Sequence, residues 1–242
     1  MGQRERSLRR MDEIAAYYAG QDGVLAVAAF GSNAERERLD DSSDLDFLVF
    51  VEADAKAPLL ETVVRLAQFG EIDALRVVYG DAVQLLFSDG VLCDFGIITP
   101  EQLKTFPHGA GRYLWRRECW EPIDLSAREP ARKPAQALQE DALFHIYVGL
   151  LRIRRGEEAA AFEEIQVKAA MCVLALLQGN SADAFSPLRR AEQTTSPELL
   201  CRLMPGYGKT REAAEYQLKL LLSQQYAPLY QAAQGLLDVS RK

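Results

Sequence analysis

Two aspartates one residue apart, Asp44 and Asp46, stand at the head of the apolar run Phe47–Val51. A short apolar run without alternation reads as a β-strand buried on both faces. On a strand, residues i and i+2 share a face, so the two carboxylates project together. Like charges this close repel unless a cation lies between them, and oxygen-only donors suit Mg²⁺ or Mn²⁺. A capped strand start on a solvated edge is the plain structural reading of the same pair. Upstream, the apolar run Val24–Phe30 ends in Gly31-Ser32, and a polar loop, residues 33–43, joins the two runs. Gly31 lets the backbone turn tightly and approach a ligand, while Ser32 offers a hydroxyl and an N–H to phosphate oxygens. Ser43, directly before Asp44, is placed to orient it.

The rest of the chain supplies helices and a hairpin. Leu8, Met11, Ile14, Ala15 and Tyr18 recur at helical spacing before Gly20, and Leu59, Leu60, Val63, Val64 and Ala67 mark a second helix after Pro58. Val83–Phe87 and Val91–Ile98 flank Ser88-Asp89-Gly90, a hairpin signal. In the second of these strands Leu92, Asp94 and Gly96 share a face. A carboxylate there is costly unless it meets a metal, a base or a proton. Residues 100–137 carry five prolines and read as irregular, with 126–136 as a linker. Residues 138–156 and 158–178 read as two amphipathic helices split by Gly156, and 211–238 as one or two more. The fold class is therefore α+β: an N-terminal domain over residues 1–126 with a mixed, twisted sheet and helices, then an all-α helical bundle over 127–242.

Bulk chemistry excludes several classes. The net charge is 28 − 35 = −7, which disfavours nucleic acid, since phosphate backbones demand clustered Lys and Arg. No run approaches the roughly 18 apolar residues of a membrane span, and the arginines at 4, 6, 9 and 10 are not followed by a signal-peptide core. Cys93, Cys119, Cys172 and Cys201 form no paired motif and read as buried thiols of a cytoplasmic protein. His108 and His145 are lone, and His145 reads as packed or capped. Glu140 and Asp141 fit either a cationic acceptor or a solvated helix start.

Gly31-Ser32, the polar loop, then Asp44-X-Asp46 between two apolar runs resemble the signature of the nucleotidyltransferase superfamily that includes DNA polymerase beta. The helix before Gly31, the later Asp94 and the helical C-terminal half look most like the two-domain lincosamide nucleotidyltransferases, over roughly residues 20–100. The resemblance implies metal-dependent transfer of a nucleoside monophosphate, AMP from ATP first, to a hydroxyl of a small molecule with release of pyrophosphate. The acceptor it implies is an antibiotic, a lincosamide first and an aminoglycoside second. In such an enzyme Asp44 and Asp46 hold Mg²⁺ (or Mn²⁺), Gly31, Ser32 and Ser43 contact the nucleotide, and Asp94 is general base or third metal ligand. The resemblance further implies a helical domain that closes the other side of the cleft and a homodimer as a possible assembly. A nucleotidyltransferase acting on a protein partner and a non-catalytic nucleotide-binding module are the alternatives. Many family members carry a second Gly about four residues after the Ser; this chain has Arg36 there, and Arg36 and Arg38 are candidates to lean on the triphosphate.

Overall fold

Val24–Ala29 (β1), Leu45–Val51 (β2), Ile72–Val78 (β3), Ala82–Phe87 (β4), Leu92–Ile98 (β5) and Arg112–Arg116 (β6) form one mixed sheet in the order β3-β4-β5-β2-β1-β6. This computed structural model describes residues 2–35, 38–221 and 227–239; Arg36 lies outside them. Two compact units, Met1–Glu129 and Pro130–Lys242, make up the chain. The first holds the sheet and the second is helical, so the protein is α+β.

β2 lies between β1, to which it runs antiparallel, and β5, to which it runs parallel. A strand flanked on both edges and covered on both faces needs apolar side chains in both directions, and from Val49 to Val51 every residue is buried. On one face Leu45, Phe47, Val49, Val83, Leu85, Cys93, Phe95 and Ile97 pack against Met11, Ile14 and Tyr18 of the helix Gln3–Ala19 (α1). Phe47 and Phe95, register partners on β2 and β5, stack with ring centroids 4.4 Å apart. On the other face Ala26, Ala28, Phe30, Phe50 and Ile98 form a smaller core with Leu103 and Leu125, onto which Tyr113 and Trp120 pack. Those two aromatics are therefore packing residues of the sheet.

The side chain of Arg10 is almost wholly buried between α1 and the β4–β5 hairpin. Its Nη2 donates to Asp89 Oδ2 at 3.0 Å, its Nε lies 3.3 Å from Glu13 Oε2, and its guanidinium sits 3.8 Å from the centre of the Phe87 ring. A buried charge demands such partners, so the clamp ties α1 to the tip of the hairpin.

In the second unit Ala135–Arg154 (α2) is followed by Gly156, whose φ is +75°. The chain returns as one long helical stretch, Glu158–Phe162, a π-helical segment Glu163–Ala169, and Ala170–Gln178. Leu143, Ile146 and Leu150 of α2 pack with Ile165, Ala169 and Val173 of that stretch. Gly149 permits the contact: a β-carbon there would come within 2.4 Å of Ile165. His145 is not idle packing, since its Nδ1 lies 2.7 Å from Glu164 Oε2, whose other oxygen accepts from Lys168 Nζ at 2.7 Å. The helices Pro197–Leu203, Thr210–Leu220 and Ala227–Val239 complete the unit.

Two expectations change, and one strand appears in a stretch that had no reading. Arg112–Arg116 is a strand rather than irregular chain, because its backbone completes the open edge of β1. Ile72–Val78 is an edge strand, paired on one side only, which leaves Asp73 and Arg76 free to be polar. Of the four thiols, only Cys93 is buried; Cys172 is half-buried, and Cys119 and Cys201 are exposed, on a turn after β6 and on a short helix respectively. No described helix is long and apolar enough to cross a membrane.

Candidate active site

The face of β2 opposite α1 carries Asp46 and Leu48, and its parallel neighbour β5 carries Asp94 and Gly96 at matching positions. Asp46 and Asp94 are register partners, as are Leu48 and Gly96. In-register residues of neighbouring strands share a face about 5 Å apart, so residues 48 apart in sequence bring two carboxylates side by side. Both are half-buried, as is Asp44 immediately before β2.

The Gly31-Ser32 turn lies against this pair. Phe30 N–H donates to the carbonyl of Asp46 at 2.9 Å, continuing the β1–β2 ladder to its end. The chain then swings into a single helical turn, Gly31–Ala34, with Gly31 at φ +57°. A β-carbon at Gly31 would fall 2.6 Å from Asp46 Oδ2. Both the backbone angle and the close approach therefore require glycine. Ser32 follows, half-buried, where the first amides of a helical turn have no partner within the helix.

Two residues that pattern reasoning missed hold the turn. Asn33 is buried and its Nδ2 donates to the carbonyl of Asp44 at 2.8 Å. Arg112 of β6 donates from Nε to Ala34 O and from Nη2 to Asn33 O, both at 3.2 Å. Ser43 is committed elsewhere: its hydroxyl donates to Asp40 Oδ1 at 3.0 Å and accepts from Asp40 N–H at 3.1 Å. The Ser42 N–H and then the Ser43 hydroxyl hold the Asp40 carboxyl below the usual aspartate range. Arg38 is paired with Glu35 at 3.0 Å.

On the far side of Asp94, Gln84 Nε2 donates to Asp94 Oδ2 at 3.0 Å, and Arg76 Nε donates to Gln84 Oε1 at 2.7 Å. A side chain with both a donor and an acceptor was needed there, and nothing local in the Val83–Phe87 pattern marks Gln84 for it.

Among the described residues, no group of three or more His, Cys, Asp and Glu side chains is assembled to hold a metal. The donor chemistry at Asp44, Asp46 and Asp94 is nonetheless all hard oxygen, which fits Mg²⁺. That ion commonly binds through one or two carboxylates, with substrate phosphates and water completing its octahedron, so a complete protein cage is not required.

No protein-family model and no curated protein matches the chain. Among solved structures, it is similar to an aminoglycoside 6-adenyltransferase from Bacillus subtilis, at 12% identity and a TM-score of 0.33 over 95% of this chain and 90% of that one. It is similar to a nucleotidyltransferase-like protein from Exiguobacterium sibiricum at 12% identity and a TM-score of 0.39, over 96% and 79% of the two chains. The CD-NTase CdnG of Bradyrhizobium diazoefficiens, in complex with GTP, is 14% identical with a TM-score of 0.31, over 98% and 94%. Likenesses this distant carry no argument about chemistry, which rests on the residues themselves.

Proposed function

We propose that the chain is a nucleotidyltransferase that moves a nucleoside monophosphate, AMP from ATP first, onto a hydroxyl of a small molecule. One observation carries the reading: Asp46 and Asp94 lie in register on neighbouring parallel strands, with the Gly31 turn against the Asp46 carboxylate. That arrangement supplies an acidic pair beside a backbone turn whose leading amides face no helical partner, the two requirements for handling a polyphosphate.

In this reading Gly31 and Ser32 receive the triphosphate, with Asn33 and Arg112 fixing the turn from behind. Asp44 and Asp46 would hold Mg²⁺, which supplies charge neutralisation on the phosphates and on the departing pyrophosphate. Asp94 accepts the proton of the acceptor hydroxyl, within reach of which a base must lie. The acceptor oxygen forms a bond to the α-phosphorus as the bond from that phosphorus to the β-phosphate oxygen breaks. The bonding pair leaves with pyrophosphate. Ser43 would support the loop through Asp40 rather than touch the nucleotide. Lincosamides come first and aminoglycosides second among acceptors, and a dimer of this chain is the expected assembly.

The test is pyrophosphate release from ATP and Mg²⁺ by the purified protein across a panel of lincosamides and aminoglycosides, beside the Asp46→Asn variant. Acceptor-dependent release that Asp46→Asn abolishes supports the reading. Equal release from both proteins would overturn it.

A further inference from the structure

Four residues on four neighbouring strands form a single row across the sheet. Arg76 on β3 is the register partner of Gln84 on β4, Gln84 of Asp94 on β5, and Asp94 of Asp46 on β2. Two of its three links are hydrogen bonds, from Arg76 Nε to Gln84 Oε1 at 2.7 Å and from Gln84 Nε2 to Asp94 Oδ2 at 3.0 Å. We propose that Gln84, locked by Arg76, is a positioning residue that pins one oxygen of Asp94 toward β4 and leaves the other for the acceptor hydroxyl. The proposal rests on the catalytic role of Asp94 given above.

The chemistry of the row dictates the orientation of its middle member. A guanidinium has donors only and an ionised carboxylate acceptors only, so a residue bridging them must accept on one side and donate on the other. A primary amide does both, and with Arg76 on one side it has a single sense: oxygen toward Arg76, nitrogen toward Asp94. Without Arg76 the amide could rotate and present its oxygen to the carboxylate, which would repel it.

The neutrality of the bridge matters as much as its direction. A Lys or Arg at position 84 would fix Asp94 in an ion pair and suppress its basicity, while a Glu would push it away. A neutral donor orients the carboxylate without cancelling its charge. Because β4 and β2 lie on opposite sides of β5, an oxygen held on the β4 side leaves its twin for the side on which Asp46 stands. A carboxylate with two free torsions would sample many orientations; a fixed one starts each turnover in place, which is where rate enhancement from orientation arises.

A plain surface ladder would show the same two hydrogen bonds, so the test must separate stability from positioning. Gln84→Glu retains a partner for Arg76 but turns a donor to Asp94 into a repelling charge; Gln84→Met removes both bonds at similar volume. Positioning predicts that kcat falls about 10- to 100-fold in both, the range for partners that orient a functional group, while the KM for ATP and the affinity for Mn²⁺·ATP stay near wild type. Arg76→Met should give a smaller loss of kcat. Wild-type kcat in Gln84→Glu would overturn the proposal and leave a ladder only. Wild-type kcat in Asp94→Asn would instead overturn the base role on which it rests, which keeps the two failures distinct.

The contact can also be read with no acceptor present. In ¹H–¹⁵N spectra of the whole chain, the Gln84 side-chain amide should shift in both Asp94→Asn and Arg76→Met. An amide resonance indifferent to both changes would overturn the locked geometry outright.

Discussion

Gly31 and Asp46 touch so closely that no other residue fits at position 31: an added β-carbon would lie 2.6 Å from Asp46 Oδ2, at a backbone φ of +57°. The turn and the carboxylate are thus one unit, and a change in either displaces the other. Gly31→Ala is expected to destabilise the chain by about 1–3 kcal/mol, the range for a strained left-handed residue, and to abolish pyrophosphate release. Urea denaturation reads the first effect and the release assay the second; an active variant of native stability would contradict the contact.

Asp94→Asn keeps the size and the position of the side chain but cannot take a proton. Loss of a positioned base lowers rates by about 10²- to 10⁴-fold, so turnover should fall by that factor with ATP affinity retained. Circular dichroism and the thermal midpoint should match wild type, since Asp94 is half-buried and can be replaced without opening a cavity.

Removing the Arg10 clamp should loosen α1 from the hairpin. Arg10→Met leaves Asp89 and Glu13 without their buried partner and is expected to cost about 2 kcal/mol, the scale of hydrogen bonds to charged groups. The double variant Arg10→Met, Asp89→Asn should recover part of that loss, because one of the two orphaned charges is then gone. Chemical denaturation of the two single variants, Arg10→Met and Asp89→Asn, and of the double gives the coupling directly.

Burial pushes the Cys93 thiol up to about 12, the nearby Arg10 opposing it only in part. A thiol reagent at neutral pH should therefore modify the exposed Cys119 and Cys201 promptly and reach Cys93 only when the chain unfolds. Mass spectrometry of the labelled peptides over time distinguishes the sites. Fast labelling of Cys93 in the native protein would contradict the packing of β5 against α1.

Acid should weaken the helical unit through Glu164. Burial raises its carboxyl, but hydrogen bonds from Lys168 and His145 outweigh that and hold it below the usual glutamate range. A carboxyl depressed on folding contributes stability that is fully present above its unfolded value, about 4.3, and is lost as pH falls through the folded value. Glu164→Gln should abolish that part of the acid dependence, an effect of no more than about 1 kcal/mol for a partly exposed pair. Thermal midpoints between pH 3 and 6 test it.

Local chemistry was legible in the amino-acid pattern, and distant pairing was not. Asp44-X-Asp46, Gly31-Ser32, the β4–β5 hairpin and the two long helices around Gly156 declare themselves through spacing and turn residues. The partnership of Asp46 with Asp94 does not, because register between strands that are not consecutive is a tertiary property. β6 was hidden for a different reason. Its Arg112 and Arg116 flank aromatics in a stretch rich in proline, and only the bare edge of β1 makes a strand of it. β3 mixes Asp73 and Arg76 into an apolar run, as an edge strand can. Asn33, Gln84 and Arg112 act through hydrogen bonds whose partners lie 8 to 79 residues away, beyond any local signal.

The parallel pairing of β2 with β5 also sets a clock. A ribosome extends Asp46 well before Asp94, and the whole of β3 and β4 lies between them in the chain. Contacts of that separation close late, since the entropy of the loop must be surrendered first. A nascent or truncated chain ending before residue 92 would carry Gly31, Asp44 and Asp46 without Asp94 or Arg112, with the edge of β2 that β5 covers still bare. Such a chain would lack the residue proposed above as the base and would present an exposed strand edge in place of the missing partner.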